Sequence, residues 1–416
     1  MGNNRDRTIL HCDLNCFFAS AEMLYHPEFR NVPMAIAGDI KQRHGIILAK
    51  NVPAKNRGVK TAETIGEALK KCPELILRSP DYETYDYLSG KVRELYYEYT
   101  DRIEPFGIDE CWLDISESIP YFGSWQYIVS SLLRRVKEEI GLTLSIGISN
   151  NKVYAKLGSD IAKEDEFFRI DSLDDIGHLP VSSLLGVGEK SIDRLHSFGI
   201  HTIRDAADSS PSYLESVLGK YGISLYLYAN GLDNSPVARI DQAHEPVKSI
   251  SNSMTCSKDV CGLDDFKIVL TVLSENVGRR LLNKGLYYKT VHLTLRDTHL
   301  KVRTLQKKLK ENTDLAKQIY DEALSLFLEN CDIHLPYRSI GVAVSGLSDK
   351  KEESQIDLFE KNGTYSLKQK KKETAIEQIR RRFGKQAVCS LRVLEDSELS
   401  SFVNKNMIFK EDEKQI

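Results

Sequence analysis

The chain has no Cys-x-x-Cys pair, although it carries eight cysteines (Cys12, Cys16, Cys72, Cys111, Cys256, Cys261, Cys331 and Cys389), and no histidine stands at zinc-ligand spacing beside them. A structural zinc site of the usual spacing is thereby excluded, and reduced thiols are expected. No apolar run approaches the roughly 20 residues that a membrane helix needs. The first residues, Met1 to Arg7, are polar and lead straight into a strand, unlike a signal peptide. Charge of one dominant sign is also missing: 57 Lys and Arg face 60 Asp and Glu, a formal net charge of −3. Any basic surface for nucleic acid must therefore be local. These absences predict a soluble, cytoplasmic protein. What is present is 41% hydrophobic residues over 416 positions. That is too much for a disordered chain, and at a rough 150 residues per domain it suggests two to four domains.

Residues 8–13 read as a short buried strand ending in an acid, and residues 17–24 as a helix. Further strands are expected at 46–49 and 142–148, and helices at 64–72, 83–99 and 125–140, the last stopped by Gly141. Residues 103–115 read as a hairpin turning near Gly107. The first part is thus mixed α/β or α+β. Residues 180–210 read as a small helical unit with glycine turns, and 233–246 as a polar linker. Beyond it the order β-α-β-β-α-β is predicted, with a helix of about 20 residues that starts at Asp264-Asp265 and stops before Gly285. Residues 350–375 are strongly polar and expected to be loose, and the last helix is placed at 374–383.

Two acidic signals carry chemistry. Asp13 ends an apolar strand and is followed by Phe17 and Phe18; Asp109-Glu110 follows the Gly107 turn. A carboxylate at the edge of a buried strand is costly unless a cation meets it. Three acids converging from neighbouring strands would form an oxygen-ligand site suited to Mg²⁺, able to serve phosphoryl transfer. Solvated strand-end acids would look the same in composition.

The longer strings are more specific. HCDLNCFFASAE (His11 to Glu22), YTDRIEPFGIDECWLDIS (Tyr99 to Ser116) and SIGISNNKVYAKLGSDIAK (Ser145 to Lys163) occur in that order. Together they closely resemble the palm motifs of Y-family (translesion) DNA polymerases, most nearly the bacterial polymerase IV type, over about residues 8–350. The resemblance implies an α+β multidomain fold. Its parts would be a right-hand polymerase with a ferredoxin-like palm (1–22 and 82–168), small fingers (23–81), a helical helix-hairpin-helix thumb (169–236), a linker (237–246), a β-α-β-β-α-β little finger (247–349) and a polar tail (350–416). It implies that Asp13, Asp109 and Glu110, with the Leu14 carbonyl, hold two Mg²⁺ ions, for which Mn²⁺ could substitute. Phe18 matches the steric gate that excludes a 2′-OH, with Phe17 beside it, and Lys163 matches a lysine that reaches the incoming triphosphate. The family usually places a Tyr and an Arg where Val52 and Lys55 stand here. Lys55 keeps the charge and loses the bidentate fork.

Gly186-Val187-Gly188 resembles the helix-hairpin-helix turn, whose backbone N–H groups approach a DNA phosphate. Arg296, Lys301 and Arg303 are expected on the sheet face opposite Leu295, Leu300 and Val302, as a duplex-backbone contact. QIDLF (Gln355 to Phe359) resembles the pentapeptide that docks bacterial polymerases on the sliding clamp (β subunit), with Gln355 offering an amide and Leu358 and Phe359 filling a pocket. The predicted protein is a monomeric, low-fidelity polymerase without proofreading, acting on primer-template DNA and deoxynucleoside triphosphates. Two rivals are a silent DNA- and clamp-binding scaffold and a palm-fold nucleotide cyclase.

Overall fold

The computed structural model describes residues 7–38, 45–240, 247–351, 362–384, 387–394 and 399. They fall into two compact units, one up to residue 240 and one from residue 247. Strands of the first unit are β1 (Ile9–Leu14), β2 (Met34–Ala37), β3 (Ile47–Lys50), β4 (Ile76–Arg78), β5 (Ile103–Pro105), β6 (Glu110–Asp114), β7 (Leu144–Ser149) and β8 (Phe167–Arg169). They form a five-stranded sheet in the order β5-β6-β1-β7-β8 and a three-stranded sheet in the order β3-β2-β4.

β1 is central, and its two faces differ because side chains alternate along a strand. Leu10, Cys12 and Leu14 join Cys111, Leu113, Leu144, Ile146 and Ile148 in a core covered by helices Tyr82–Tyr97 and Trp125–Arg135. The opposite face carries His11 and Asp13 of β1, level with Trp112 and Glu110 of β6 and with Gly147 and Ser145 of β7. Helix Lys152–Ile161 packs on this face, its first turn capped by the Asn151 side chain on Tyr154 N–H. Glycine makes the approach possible: a Cβ at Gly147 would lie 1.9 Å from the Ala155 carbonyl oxygen and 2.2 Å from the Ser159 nitrogen.

The small sheet is pinned by Asn51, fully buried. Its amide oxygen accepts from Met34 N–H (3.0 Å) and Ala54 N–H (3.1 Å), and its NH₂ donates to the Phe29 and Val32 carbonyls. Every polar atom of this buried side chain is therefore satisfied. Residues 170–229 form a helical cluster around Val181, Leu195, Ile203, Leu214 and Leu225. Helix Glu189–Ser197 starts at Gly188, and Gly186 has φ +87°, as the glycine turn predicts. Glycine is needed at 186 twice over, since a Cβ there would also lie 2.7 Å from the Tyr221 hydroxyl. Past this cluster Val237 is buried with Ile9, Trp112 and Ala155, and Ala238 N–H donates to Glu104 at 2.9 Å. The start of the expected linker is thus packed chain.

The second unit has β9 (Ser249–Val260), helix Gly262–Lys284, β10 (Tyr288–Asp297), β11 (Val302–Thr313), helix Ala316–Asn330 and β12 (Tyr337–Ser345). This is the predicted β-α-β-β-α-β order. The sheet runs β11-β10-β12-β9, with every neighbouring pair antiparallel. Both helices cover one face, where Phe266 and Phe327 stack at 3.7 Å. The other face is lined by small polar residues such as Ser251, Ser253, Thr255, Thr294 and Thr304.

Two expectations fail here. Arg296 does lie opposite Leu295, but Val302 pairs with Arg296 on the outer face, and Val302 and Leu300 are 54% and 55% exposed. Arg303 pairs with Leu295 on the helix-covered side, where its guanidinium donates to the Asn330 carbonyl at 2.6 Å. The turn between β10 and β11, with Leu300 at φ +64°, sets this phase. Second, the stretch expected to be loose is helical from Asn362, forming helix Asn362–Phe383. It docks through Lys370, Glu373 and Arg380, so apolar periodicity carries little sign of it. Gln355, Leu358 and Phe359 lie outside the described residues.

Candidate active site

Asp13 and Glu110 stand directly opposite one another across β1 and β6, and Asp109 precedes Glu110, its carbonyl accepting Leu14 N–H at 3.1 Å. The hairpin of β5 and β6 that delivers them is fixed from behind by helix Tyr82–Tyr97. Arg93 donates to the Gly107 carbonyl at 3.1 Å, and the Ser89 hydroxyl donates to the Ile108 carbonyl. Like charges opposite each other on paired strands repel. The cation between them is Lys156, whose Nζ lies 3.3 Å from Asp13, 3.1 Å from Glu110 and 2.9 Å from Asp160. His11, fully buried, places Nε2 3.2 Å from Glu110 and Nδ1 2.7 Å from the Ser159 hydroxyl.

Burial pushes the Asp13 carboxyl up to about 7, helped by the charges of Glu110 and Asp109 and opposed by Lys156. Asp109 is also raised, chiefly by burial. Burial acts on Glu110 in the same direction, but His11 and Lys156 outweigh it and hold Glu110 below its ordinary range. Lys156 is raised: burial works against its charge, and Asp160, Asp13 and Glu110 overcome that. The arrangement is carboxylate-rich and short of positive charge.

Among the described residues no three His, Cys, Asp or Glu side chains close into a metal cluster. The donor chemistry nonetheless fits hard divalent cations. The site is built from carboxylate oxygens, and Glu110 Oε2 is buried without a hydrogen-bond partner of good geometry. Lys156 and His11 lie 3.1 and 3.2 Å from that oxygen, so its charge is met by ion pairing, and a hard cation would compete with Lys156 for it.

Phe17 is buried in the core, whereas Phe18 is half-buried and stacks on Tyr85 at 4.3 Å with the rings 13° apart. Tyr85 is held by its hydroxyl donating to Glu22 at 3.0 Å, and Glu22 is approached by Arg78 at 3.5 Å. Phe18 thus rests on a braced platform. Cys16, at φ 49°, makes the sharp turn between Asp13 and Phe18. Lys50 and Lys55 both act electrostatically on the Cys16 thiol, which places their charges near this turn. Val52 and Lys55 sit on the short helix Val52–Asn56, both exposed. Lys163 is exposed just beyond helix Lys152–Ile161, and Asn15 fixes that segment by accepting Asp165 N–H and donating to Ser145.

Sequence reasoning missed Lys156, His11, Ser159 and Lys50. For Lys156 a signal existed: Lys152, Lys156 and Asp160 recur every four residues after the Asn151 cap, one stripe of a helix facing the acids.

The architecture, an α+β palm-like sheet with a small second sheet, a helical cluster and a separate β-α-β-β-α-β unit, is that of right-hand polymerases. A solved Y-family DNA polymerase chimera, Dbh-Dpo4(243-245)-Dbh, matches 82% of this chain and 98% of its own with a TM-score of 0.71 at 22% identity. The impB/mucB/samB family matches residues 12–160, and its C-terminal domain matches residues 247–358. The DNA polymerase IV of Acetivibrio thermocellus is 41% identical over 95% of this chain and 99% of its own. That of Clostridium kluyveri is 34% identical over 94% and 99%. The chain belongs to the impB/mucB/samB family, the Y-family DNA polymerases of the bacterial polymerase IV type.

Proposed function

We propose that this chain is a DNA-directed DNA polymerase for translesion synthesis, adding deoxynucleotides to a primer 3′ end. The observation that carries the reading is the Asp13–Glu110 cross-strand pair with Asp109 beside it, in a chain whose relatives are DNA polymerases IV. Low fidelity is general for the family.

Asp13, Asp109, Glu110 and the Leu14 carbonyl would hold two Mg²⁺ ions, with Mn²⁺ a substitute. When bound, such ions supply charge neutralisation to the reacting phosphate and lower the cost of deprotonating the primer hydroxyl. The protein's own part is positioning. His11 and Lys156 hold Glu110 in one orientation, and Ser89 and Arg93 fix the turn that aims Asp109. Phe18, backed by Tyr85, presents a rigid ring under the sugar and leaves no volume for a 2′-oxygen. Lys55, Lys163 and the nearby Lys50 offer positive charge to the triphosphate.

Residues 1–22 and 82–168 act as palm, 23–81 as fingers, 169–236 as thumb and 247–349 as little finger. The Gly186–Gly188 turn meets template phosphates. Arg296 and Lys301 meet the duplex backbone, while the Arg303 guanidinium is engaged at the Asn330 carbonyl. Gln355, Leu358 and Phe359 dock the sliding clamp. The chain acts as a cytoplasmic monomer on the nucleoid and has no proofreading activity.

Primer extension with Mg²⁺ tests this reading. Wild type extends a primer, and Asp109→Ala and Glu110→Ala do not while still binding primer-template. Extension by either variant would remove the carboxylate roles. A wild type that binds DNA without extending it would favour a silent scaffold, and one that fails to bind primer-template at low salt would favour a cyclase.

A further inference from the structure

The C-terminal unit holds a cavity of about 430 Å³ between helix Gly262–Lys284, the start of helix Ala316–Asn330 and helix Asn362–Phe383. Polymerase chemistry leaves it without a role. Each wall has a local cause. A Cβ at Gly278 would lie 2.4 Å from the Ala316 Cβ, so glycine lets the first two helices close together. The third wall is held by charge. Glu373 accepts the N–H groups of Ala316 and Lys317 at 2.9 and 3.1 Å, Lys370 pairs with Asp314 at 2.5 Å, and Arg380 pairs with Glu275 at 2.9 Å.

Two polar groups in this cavity are left over. Ser274 is 2% exposed, and its hydroxyl has no hydrogen-bond partner. A serine inside a helix ordinarily faces solvent or bonds back to the carbonyl four residues earlier. Arg279, five residues further along the helix, lines the same cavity, and its guanidinium has no hydrogen-bond partner among the described residues. Burial disfavours its charge, Glu377 supports it, and Arg380, Arg280 and Arg381 oppose it. The carboxylates in the wall are already committed: Glu275 to Arg380, Asp314 to Lys370, Glu373 to the helix N-terminus and Glu377 to Arg381. A half-buried guanidinium with unused donors and too few counter-charges is costly until an anion meets it.

We propose that this cavity binds a small phosphate-bearing ligand, its phosphate held by the Arg279 guanidinium and the Ser274 hydroxyl. The planar fork of arginine matches phosphate oxygens two at a time. Leu282, Leu315, Ile376 and the ring of Tyr320 add apolar lining. The volume lies in the range of about 300–1,000 Å³ usual for small-ligand sites, enough for a nucleotide. The phosphate is the recognised group, and it can come from free pyrophosphate or from a nucleotide. A ligand there also braces helix Asn362–Phe383 against the unit it docks on.

Calorimetric titration of the full chain tests this, in EDTA so that the carboxylate site cannot hold a triphosphate through metal. The probes are inorganic pyrophosphate, adenosine triphosphate and adenosine. One phosphate-dependent site is expected. Arg279→Gln should weaken it by about tenfold or more and Ser274→Ala by a smaller factor, as for loss of hydrogen bonds to a charged group. Primer extension should stay at the wild-type level in both variants. Equal affinities for pyrophosphate and adenosine triphosphate would identify the phosphate alone as the ligand, and tighter binding of the triphosphate would identify a nucleotide. No binding by wild type, or equal binding by Arg279→Gln, overturns the proposal. Should Arg279→Gln fold poorly, hydrogen exchange in the wild type decides. Pyrophosphate must slow exchange in residues 368–383, and unchanged exchange overturns the proposal.

Discussion

The five-stranded sheet of the first unit and the four-stranded sheet of the second solve the same packing problem in opposite ways. The second sheet buries one face under helices, whereas the first is covered on one face by helices Tyr82–Tyr97 and Trp125–Arg135 and on part of the other by helix Lys152–Ile161. On the other face the first sheet gathers charge at one end: Asp13 and Glu110 in register, Asp109 beside them and Lys156 between. The second sheet spreads small neutral groups over its outer face, with Ser251, Ser253 and Thr255 on β9 and Ser339, Gly341 and Ala343 on β12. Concentrated charge stores electrostatic strain that a cation can relieve, which suits chemistry. The outer face of the second sheet, where Arg296 stands among hydroxyls and small side chains, gathers no such cluster of acids.

The largest predicted contrast comes from exchanging these properties. Asp109→Asn should lower primer extension by about a thousandfold or more, equivalent to about 4 kcal/mol of transition-state stabilisation, and leave primer-template affinity nearly unchanged. Ser251→Asp with Ser253→Asp on the second sheet should do the reverse. Primer-template affinity falls about tenfold, with a steeper loss at higher salt, and turnover at saturating DNA is kept. Gel-shift and single-turnover assays on the same proteins check both. If the aspartates on β9 abolish turnover at saturation instead, the division of labour between the sheets fails.

Glycine gives the next contrast. Gly147→Ala should destabilise the fold by about 2–4 kcal/mol, because a Cβ there meets helix backbone and overpacking is costly. Gly341→Ala on the second sheet should cost about 1 kcal/mol, because the nearest atom to its added Cβ would be the Ser253 Cβ at 3.0 Å, with the Asn252 carbonyl oxygen and Ser253 Cα in ordinary contact at 3.7 Å. Urea unfolding separates the two, and similar values would mean that helix Lys152–Ile161 does not seat on β7 as described.

pH offers a finer probe. Without metal, burial and the neighbouring acids raise Asp13 from 3.8 to about 7. A carboxyl whose folded value is raised favours the folded state when protonated, and that contribution fades as pH climbs through the folded value. The metal-free unfolding midpoint should therefore drop between about pH 4 and pH 7, from the unfolded value to the folded one, and Asp13→Asn should flatten the drop. An unchanged slope in the variant would show that Asp13 is not the group responsible. The smallest effect expected is on substrate affinity. Val52→Tyr with Lys55→Arg should lower the KM for nucleotide a few-fold, by restoring a hydroxyl and a bidentate fork. An unchanged KM would mean that Lys50 and Lys163 already hold the phosphates.

How far the sequence could be read follows the same division. Apolar periodicity located β1, the hairpin around Gly107 and the β-α-β-β-α-β order, since burial is what periodicity reports. It placed Asp13, Asp109 and Glu110 at strand ends, and the structure puts two of them face to face. It did not find Lys156, because a charged residue on a helix looks solvated until the helix is laid over a sheet, and Gly147 is what allows that. Helix Asn362–Phe383 escaped for a related reason: its contacts run through Glu373, Lys370 and Arg380, so polar composition read as looseness. Arg303 was misplaced because the phase of β11 is set by the turn at Leu300.

The central claim is that Asp13, Asp109 and Glu110 together hold divalent cations. Mn²⁺ binding followed by electron paramagnetic resonance, with primer-template and a non-hydrolysable nucleotide present, tests it apart from turnover. Wild type should take up two ions per chain, and Asp109→Asn with Glu110→Gln should lose at least one while still binding DNA. Full Mn²⁺ occupancy in that double variant would contradict the account.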